Sequence, residues 1–349
     1  MTCRVLPPAV NYQPKNLRSQ DKPLFEGHER RRENYAEWAS FPPVDVRRLT
    51  SFRNGEQGRV VAWTIGKEMP ELPEVETVAR GLQRAIAGRK ILGVTLGKTD
   101  FIDDAAAVEK ELPGRTIRKV ERFGKFLLLR LGGENHADGA LLVHLGMTGM
   151  LMPLAVSEPQ AKHTHVVMQL DDGRELRYID ARRFGRMAFL AGEVLRRELE
   201  RFGADPLESG PEEFAKRIGE RRARIKALLL DQSVIRGVGN IYADESLWKA
   251  KIHPAQLGAR LKPKQTKKLY AVLLEILKKA IALRGSSISD FLDAEGLPGE
   301  YQRHHRVYGR EGEACFRCGT RIRRVIVAGR SSCFCPRCQR APRGWKKRI

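Results

Sequence analysis

The 349-residue chain is long enough to form two or more domains with separate hydrophobic cores. It carries 64 Lys plus Arg against 42 Asp plus Glu, and the net charge of +22 predicts a polyanionic partner, nucleic acid before membrane. No run of about 18 apolar residues occurs, which excludes a transmembrane helix, and residues 1–30 lack the apolar core of a signal peptide.

Residues 1–68 show no sustained periodicity, because proline pairs and basic runs interrupt every apolar pattern. This composition predicts a disordered or weakly ordered segment. Two explanations stay open: a genuine N-terminal tail, or upstream sequence translated from a start codon placed too early. The second is favoured, since a peptide bond on Pro70 would abolish the chemistry that the next stretch suggests.

Residues 69–77 have the sequence Met-Pro-Glu-Leu-Pro-Glu-Val-Glu-Thr. If synthesis begins at Met69 and this residue is trimmed, Pro70 carries a free secondary amine, and a free α-amine titrates near pH ~8. Such an amine can attack a sugar carbon and form an iminium, while Glu71 is placed to give or take protons. The same stretch also suits an ordinary helix start, with Pro73 in the first turn.

Apolar residues recur at helical spacing from Val75 to Ile86, and Gly88 supplies a stop. Short strand-like runs follow, separated by turn residues, with a hairpin signal at residues 172–173. The runs are residues 91–96, 116–121, 126–131, 140–145, 164–170 and 175–179. Several strands with short connections predict a β-sandwich or barrel with the first helix packed against it.

Helical patterning returns after residue 195 and continues through a basic and then apolar segment at 220–232. The Arg-Gly-Val-Gly segment at 236–239 predicts a tight turn that opens into another helix at Asn240. Glycines let backbone N–H groups approach a phosphate, and a helix N-terminus favours an anion. A further amphipathic helix is predicted over residues 264–283.

Two Cys-x2-Cys pairs stand sixteen residues apart near the end of the chain. Their cysteines are Cys315, Cys318, Cys335 and Cys338. Two such pairs fit four thiolates around one tetrahedral Zn²⁺ ion. Two strands between the pairs predict a hairpin whose tip carries Arg330, and Cys333 in the second strand is predicted to be a free thiol.

These motifs resemble, in the same order, those of bacterial formamidopyrimidine-DNA glycosylases. The resemblance covers roughly residues 69–340, and its most specific parts are the opening Pro-Glu-Leu-Pro-Glu-Val-Glu-Thr and the paired cysteines. It implies an α+β multidomain fold: an N-terminal β-sandwich with flanking helices, a helix–two-turn–helix domain and a C-terminal β-hairpin zinc finger. The implied domains are 69–192, 193–300 and 301–349, with the zinc hairpin at 315–338 and residues 1–68 as an extension.

The resemblance also implies roles for single residues. Catalysis is expected of Pro70, Glu71, Lys125 and Arg330. DNA binding is expected of His163, Arg182, Arg221, Lys226 and Asn240. The gap left by an extruded base is expected to be filled by Met147, Arg182 and Phe184. The four cysteines would hold one structural zinc ion, and no other cofactor is implied. The family usually has proline where Ala181 stands, which predicts a less rigid loop there.

The implied function is base-excision repair by a bifunctional DNA glycosylase and AP lyase that removes oxidised purines, 8-oxoguanine and formamidopyrimidines. A Schiff base on Pro70 would be followed by β,δ-elimination. The implied partner is double-stranded DNA containing oxidised bases. The protein is expected to be a monomer without membrane association, located in the bacterial cytoplasm with the nucleoid.

Three alternatives differ in function. An endonuclease VIII-like glycosylase would remove oxidised pyrimidines, but such enzymes usually open with Pro-Glu-Gly-Pro-Glu, whereas Leu72 and Val75 follow the purine-directed version. A non-catalytic DNA-damage binder is favoured if residues before Pro70 are retained. A zinc-ribbon transcription factor would leave the first 200 or so residues unexplained.

Overall fold

The computed structural model describes residues 69–133, 136–288 and 291–345, so the prediction made for residues 1–68 lies outside the described residues. The α-helices are α1 (Leu72–Ile86), α2 (Ala105–Glu111), α3 (Gly192–Glu200), α4 (Pro211–Gly219), α5 (Ile225–Leu230), α6 (Asn240–Ala250) and α7 (Pro263–Ala282). The β-strands are β1 (Ile91–Leu96), β2 (Thr116–Phe123), β3 (Phe126–Gly133), β4 (His136–His144), β5 (Met150–Ala155), β6 (Thr164–Leu170), β7 (Arg174–Ile179), β8 (Arg186–Ala191), β9 (Arg323–Val327) and β10 (Arg330–Phe334).

Two four-stranded antiparallel sheets form the N-terminal part of the described chain. Their strand orders are β1-β6-β7-β5 and β2-β3-β4-β8. Side chains from both sheets and from α1 share one core, in which Leu82, Leu129 and Leu176 are fully buried. Burial of this apolar surface stabilises the layers, and it confirms the predicted sandwich with a helix packed against it.

Sequence patterning does not predict α2, β5 or β8. Strands β5 and β8 each lie at the edge of a sheet, and Pro153 interrupts the strand signal of β5. An edge strand tolerates proline because one side of its backbone needs no ladder hydrogen bond. Helix α2 has only seven residues and buries only Val108, so its apolar pattern is too short to detect.

Helix α1 begins at a capping arrangement that the sequence encodes locally. Glu71 is the N-cap residue, and its N–H donates to the side chain of Glu74 at 2.9 Å. Pro73 occupies the second helical position, where a missing N–H costs no intrahelical bond. Val75 and Val78 then begin the buried face of the helix.

Helices α4 to α7 enclose a second core. Helix α7 is the longest at 20 residues and packs against α6, α4 and α1. Leu72, the first residue of α1, belongs to this second core and is fully buried in it. The start of α1 therefore lies where the β-sandwich meets the helical region. Among the helices in the described ranges, none is both long and apolar enough to cross a bilayer.

Strands β9 and β10 form a hairpin that packs against α6. Its two-residue turn consists of Ala328 and Gly329, both with positive φ (51° and 71°), as a type I′ hairpin turn requires. Arg330 is the first residue of β10 and pairs with Val327 beside the turn. The predicted hairpin is confirmed, with Arg330 next to the tip rather than on it.

Candidate active site and nucleic-acid interface

Pro70 and Glu71 immediately precede α1, and both are buried. The N–H of Leu72 donates to the carbonyl oxygen of Gly237 at 3.0 Å. A Cβ atom on Gly237 would lie 2.9 Å from Cδ1 of Leu72, so this close approach requires glycine. The segment that carries the predicted nucleophile is therefore attached to the turn that precedes α6.

The carboxylate of Glu71 caps the N-terminus of α6. It accepts hydrogen bonds from the N–H groups of Gly239 and Ile241, each at 2.9 Å, and of Tyr242 at 3.4 Å. A Cβ atom on Gly239 would lie 2.3 Å from Cδ of Glu71. The sequence interpretation that the glycine turn admits a phosphate is corrected here: the anion held by these amides is the carboxylate of Glu71.

Lys125 lies within reach of the charge of Glu71, at the turn between β2 and β3. Burial raises the pKa of Glu71, although the Lys125 ammonium and the amides of α6 favour its charged form. Burial lowers the pKa of Lys125, and the Arg330 guanidinium lowers it further, against the opposing effect of Glu71. An acid with a raised pKa and an amine with a lowered pKa in one buried site are typical of proton-transfer machinery.

Asn240 and Arg330 approach the same site from α6 and from the zinc hairpin. Nδ2 of Asn240 donates to Oγ of Ser331, the neighbour of Arg330, at 3.4 Å. Oδ1 of Asn240 is buried and has no hydrogen-bond partner among the described residues. The residues that the structure brings together are Pro70, Glu71, Lys125, Asn240 and Arg330.

Lys226 does not reach the surface. Its Nζ atom is fully buried, 2.5 Å from Oδ1 of Asp244, and also donates to the carbonyl oxygen of Asn240 at 3.3 Å. The other carboxylate oxygen of Asp244 accepts from the N–H of Cys333 at 2.9 Å. A buried ion pair occupies the ammonium of Lys226 in this arrangement, so its expected direct contact with a phosphate stays a prediction. The pair joins α5, α6 and β10.

The Lys226–Asp244 pair is expected to behave as a buried structural pair. Lys226→Met alone should lower the free energy of unfolding by about 3–5 kcal/mol, because it leaves the carboxylate of Asp244 buried without its cation. The double variant Lys226→Met with Asp244→Asn should recover most of that loss, as measured by urea denaturation. A DNA-binding salt slope lowered by about 0.9 in the double variant would instead indicate a direct phosphate contact.

Two adjoining loops hold the residues expected to fill the duplex. Asp180, fully buried, organises both: Oδ1 accepts from the hydroxyl of Thr148, and Oδ2 accepts from the N–H of Gly185 at 2.9 Å. A Cβ atom on Gly146 would lie 2.5 Å from the nitrogen of Gly185, so the loops touch through glycine. The β4–β5 loop and the β7–β8 loop therefore form one rigid platform.

The side chains on this platform differ in exposure. Phe184 is 50% exposed, and the guanidinium of Arg182 lies 4.5 Å from the centroid of its ring. Met147 is half-buried in the neighbouring loop. An exposed aromatic ring with a stacked arginine suits insertion between bases, so the arrangement is compatible with the predicted role. Whether these side chains enter a duplex stays a prediction.

His163 and Arg221 lie outside the converging group. The carbonyl oxygen of His163 accepts from the N–H of Asp180 at 3.0 Å, which places His163 beside the platform. Arg221 is exposed before α5, with a guanidinium nitrogen 3.5 Å from Oδ2 of Asp231. Their phosphate contacts stay predictions.

The four thiols of the two Cys-x2-Cys pairs meet at one point. Their Sγ atoms all lie within 4.8 Å of one another, with Cys318 3.4 Å from Cys335 and 3.6 Å from Cys338. A tetrahedral zinc ion with Zn–S bonds of about 2.3 Å requires sulfur separations of about 3.8 Å. The four cysteines therefore fit one structural zinc ion, and Cys333 lies buried outside the cluster.

Loss of one thiolate should release the metal. Cys318→Ser is expected to abolish stoichiometric zinc binding and to unfold the hairpin, because metal binding and folding are coupled in such sites. Cys333→Ser is the matched control, since Cys333 is buried in the same hairpin but is not a ligand. Elemental analysis and circular dichroism measure both effects. Equal zinc loss in the two variants would contradict the assignment of ligands.

Several residues that organise the site were not predicted from the sequence. They are Glu74, Asp180, Tyr242 and Asp244. Their burial, which requires each of them to have a partner, is a property of the packed structure: α6 buries nearly every residue, including Asp244 and Glu245.

Three protein-family models match successive parts of the chain. Residues 69–187 match the family model of the formamidopyrimidine-DNA glycosylase N-terminal domain, and residues 202–292 match that of the H2TH domain of the same enzymes. Residues 312–341 match the zinc finger found in FPG and IleRS.

The chain is similar to the formamidopyrimidine-DNA glycosylase of Solibacter usitatus, at 45% identity over 274 residues that cover 78% of this chain and 100% of the relative. Two crystal structures of the Lactococcus lactis Fpg protein each match with a TM-score of 0.70, over 78% of this chain and 100% of theirs. One, 37% identical, is a complex with an oxidized pyrimidine containing DNA. The other, 38% identical, is a complex with an N7-Benzyl-Fapy-dG containing DNA.

Proposed function

Because this chain belongs to the formamidopyrimidine-DNA glycosylase family, we propose that it removes oxidised purines from double-stranded DNA with the amine of Pro70 as nucleophile. The family places it in base-excision repair, as a zinc-containing DNA glycosylase and AP lyase that binds DNA. The observation that carries the mechanism is the position of Pro70 and Glu71, buried at the start of α1 and joined to α6, with Lys125 and Arg330 nearby.

The proposed nucleophile requires a chain that begins at Pro70. Two comparisons support this start: the family match begins at Met69, and the whole length of the Solibacter relative is covered by 78% of this chain. Met69 would be the initiator residue and would be removed. The unprotonated amine of Pro70 then has a lone pair available for attack.

The first half of the reaction forms the covalent intermediate. The nitrogen of Pro70 attacks C1′ of deoxyribose, and the bond between C1′ and the damaged base breaks as the base leaves with the proton that the amine loses on attack. Glu71 in its protonated form gives its proton to the ring oxygen O4′, which opens the sugar and leaves an iminium between Pro70 and C1′. The raised pKa of Glu71 favours this role as an acid.

The second half cleaves the strand. Loss of a proton from C2′ expels the 3′ phosphate, and a second elimination expels the 5′ phosphate. Lys125 and Arg330 assist as proton donors or phosphate clamps, and the lowered pKa of Lys125 makes its ammonium a stronger acid than that of an exposed lysine. Hydrolysis of the remaining imine frees the enzyme and leaves a one-nucleotide gap bearing phosphates. The zinc ion takes no part in these steps and holds the hairpin that carries Arg330.

The target base must leave the stack before C1′ can be attacked. Met147, Arg182 and Phe184 are proposed to fill the space it vacates, because they stand together on the platform organised by Asp180. Phosphates on either side would be held by Asn240, Arg221 and His163. The group of Asn240 that can bind a phosphate is its Nδ2 amide, which donates to Oγ of Ser331 at 3.4 Å in the described structure.

The division into domains at 69–192, 193–300 and 301–349 is also a proposal. It is supported by separate hydrophobic clusters in the sandwich, the helical region and the zinc hairpin. The partner is proposed to be duplex DNA containing oxidised bases. The protein is proposed to act as a monomer in the cytoplasm, with the nucleoid, where that DNA is found.

Borohydride trapping tests the nucleophile. A chain beginning at Pro70, mixed with an 8-oxoguanine duplex and borohydride, should give a covalent protein–DNA adduct. Peptide mapping should place the adduct on Pro70. A non-catalytic damage binder would bind the same duplex and give no adduct, and an adduct on a lysine would reject the Pro70 mechanism.

A second substrate class is supported by one observation, the similar structure that holds an oxidized pyrimidine containing DNA. Competing incision of purine and pyrimidine lesions in matched duplexes distinguishes the two. The purine proposal expects faster base release from 8-oxoguanine or formamidopyrimidine duplexes. A preference for oxidised pyrimidines would support the endonuclease VIII-like alternative.

A further inference from the structure

The carboxyl group of Glu74 joins three chain segments that are distant in sequence. Its Oε2 atom accepts from the N–H of Glu71 at 2.9 Å. Its Oε1 atom accepts from the N–H of Ser286 at 2.7 Å and from the hydroxyl of Tyr242. Glu74 is 2% exposed, so these hydrogen bonds are shielded from water.

We propose that Glu74 is a positioning residue for the reaction of Pro70, because it holds the peptide between Pro70 and Glu71 against α6 and the turn after α7. The proposal rests on the proposed function of Pro70. Glu74 itself touches neither the reacting sugar nor the base. It acts through the direction that it imposes on the nucleophile.

The contact restricts the nucleophile strongly. The N–H of Glu71 belongs to the planar peptide whose other side is Cα and the carbonyl of Pro70. The pyrrolidine ring prevents free rotation about the N–Cα bond. When the peptide plane is held by Glu74, only rotation about the Cα–C bond of Pro70 can move the amine.

The turn after α7 provides a rigid support for Glu74. Gly285 has a φ of +81°, and its N–H donates to the carbonyl oxygen of Ala280 at 2.8 Å. Its carbonyl oxygen accepts from the N–H of Tyr301, also at 2.8 Å. A Cβ atom on Gly285 would lie 2.6 Å from Oε1 of Glu74, so only glycine permits the approach. The N–H of Ser286 is therefore held from two directions.

An ordinary capping arrangement explains only part of this geometry. A glutamate at the third helical position commonly accepts from the N-cap N–H, which accounts for Oε2 alone. It does not account for two further donors from α6 and from the end of α7. Burial and the negative charge of Glu71 also raise the pKa of Glu74 to about 7, unlike that of an exposed first-turn glutamate.

Glu245 offers a matched control on α6. It is equally buried, at 2% exposed, and its carboxylate accepts from the N–H groups of Arg306, Val307 and Tyr308. Burial raises its pKa to about 7 as well. None of these partners belongs to the segment that contains Pro70. Replacing either glutamate by glutamine thus removes a buried carboxyl group that accepts from three donors. Only the replacement of Glu74 alters a contact with the segment that contains Pro70.

The experiment compares Glu74→Gln with Glu245→Gln in zinc-loaded protein beginning at Pro70. The rate of borohydride trapping on an abasic-site duplex is measured at saturating enzyme, with the duplex Kd and the Tm alongside. Glu74→Gln should slow trapping about 100-fold, as a misplaced reacting group does. Its Kd should change less than about threefold, since DNA contacts are intact. Glu245→Gln should lower Tm without a comparable loss of rate.

Two results would overturn the inference: equal slowing in both glutamine variants, or an unchanged trapping rate in Glu74→Gln. If Glu74→Gln fails to fold, Tyr242→Phe replaces it in the test. This variant removes one donor and keeps the carboxyl group of Glu74, and it should slow trapping about tenfold. An unchanged rate in Tyr242→Phe would then reject the proposal. Absence of trapping in the unsubstituted protein would reject the proposed function itself, which keeps the two failures distinguishable.

Discussion

A chain in which any group remains joined to the nitrogen of Pro70 is expected to give no borohydride-trapped adduct with damaged DNA. The physical reason is that an amide nitrogen shares its lone pair with the carbonyl and cannot attack C1′. DNA affinity should be nearly unchanged, because Arg182, Asn240 and the other proposed contacts are untouched. Loss of chemistry with retained binding is thus the expected pattern.

Three preparations make this test sharp. The first begins at Pro70, the second is the same chain acetylated on Pro70, and the third is the 349-residue chain. The acetylated chain is the matched control, since it differs from the active form by one acyl group. Intact mass before and after the reaction shows which form was present. Undiminished trapping by a 349-residue chain that stays intact would reject Pro70 as nucleophile.

Glu71→Gln is expected to reduce the single-turnover rate of base release by about 10²–10⁴-fold, the usual contribution of a positioned acid or base. Glutamine keeps the size of the side chain, but its single oxygen can accept only on one side, either from Ile241 or from Gly239 and Tyr242. It cannot donate the proton that opens the sugar ring. The rate is measured by quenching a labelled 8-oxoguanine duplex at increasing times, with enzyme in excess.

The pH dependence of the same reaction identifies the acid. Because burial raises the pKa of Glu71, its protonated form should persist to higher pH than that of an exposed glutamate. The rate should therefore fall as pH rises through this pKa, as the acid loses its proton. This decrease of the rate with rising pH should be absent in Glu71→Gln and present in Glu245→Gln. An identical pH profile in the protein with and without Glu71 would assign the proton to another group.

Local patterns predicted most of the regular structure. The apolar spacing from Val75 to Ile86 corresponds to α1, and the predicted strands at 91–96 and 164–170 have the observed bounds of β1 and β6. These patterns succeed because a helix or an uninterrupted strand repeats its buried face at a fixed period. Strand β5 was not predicted because Pro153, which an edge strand tolerates, interrupts its pattern. Helix α2 was not predicted because it buries only one apolar side chain.

The sequence named candidate residues for the site, but it did not predict all the contacts between them. The opening motif, Lys125, Asn240 and Arg330 lie close together in the structure, and their individual roles stay proposals. Lys226 was assigned to a phosphate, whereas the structure buries it against Asp244. The periodicity of α5 marks Lys226 as a residue of the helix, but no feature of a single sequence says which anion it meets.

The sequence by itself determined the local chemistry of this protein: a capped helix after Pro70, two pairs of zinc ligands at the right spacing, and glycines where the chain must turn. Only the tertiary structure decided which buried charges face each other. Glu71 reaches the amide of Gly239 across 168 residues, and Glu74 reaches that of Ser286 across 212. A buried carboxylate must find hydrogen-bond donors. Its donors come from the segments that the packing of the two cores brings beside it. Periodicity along the chain does not predict which segments these are.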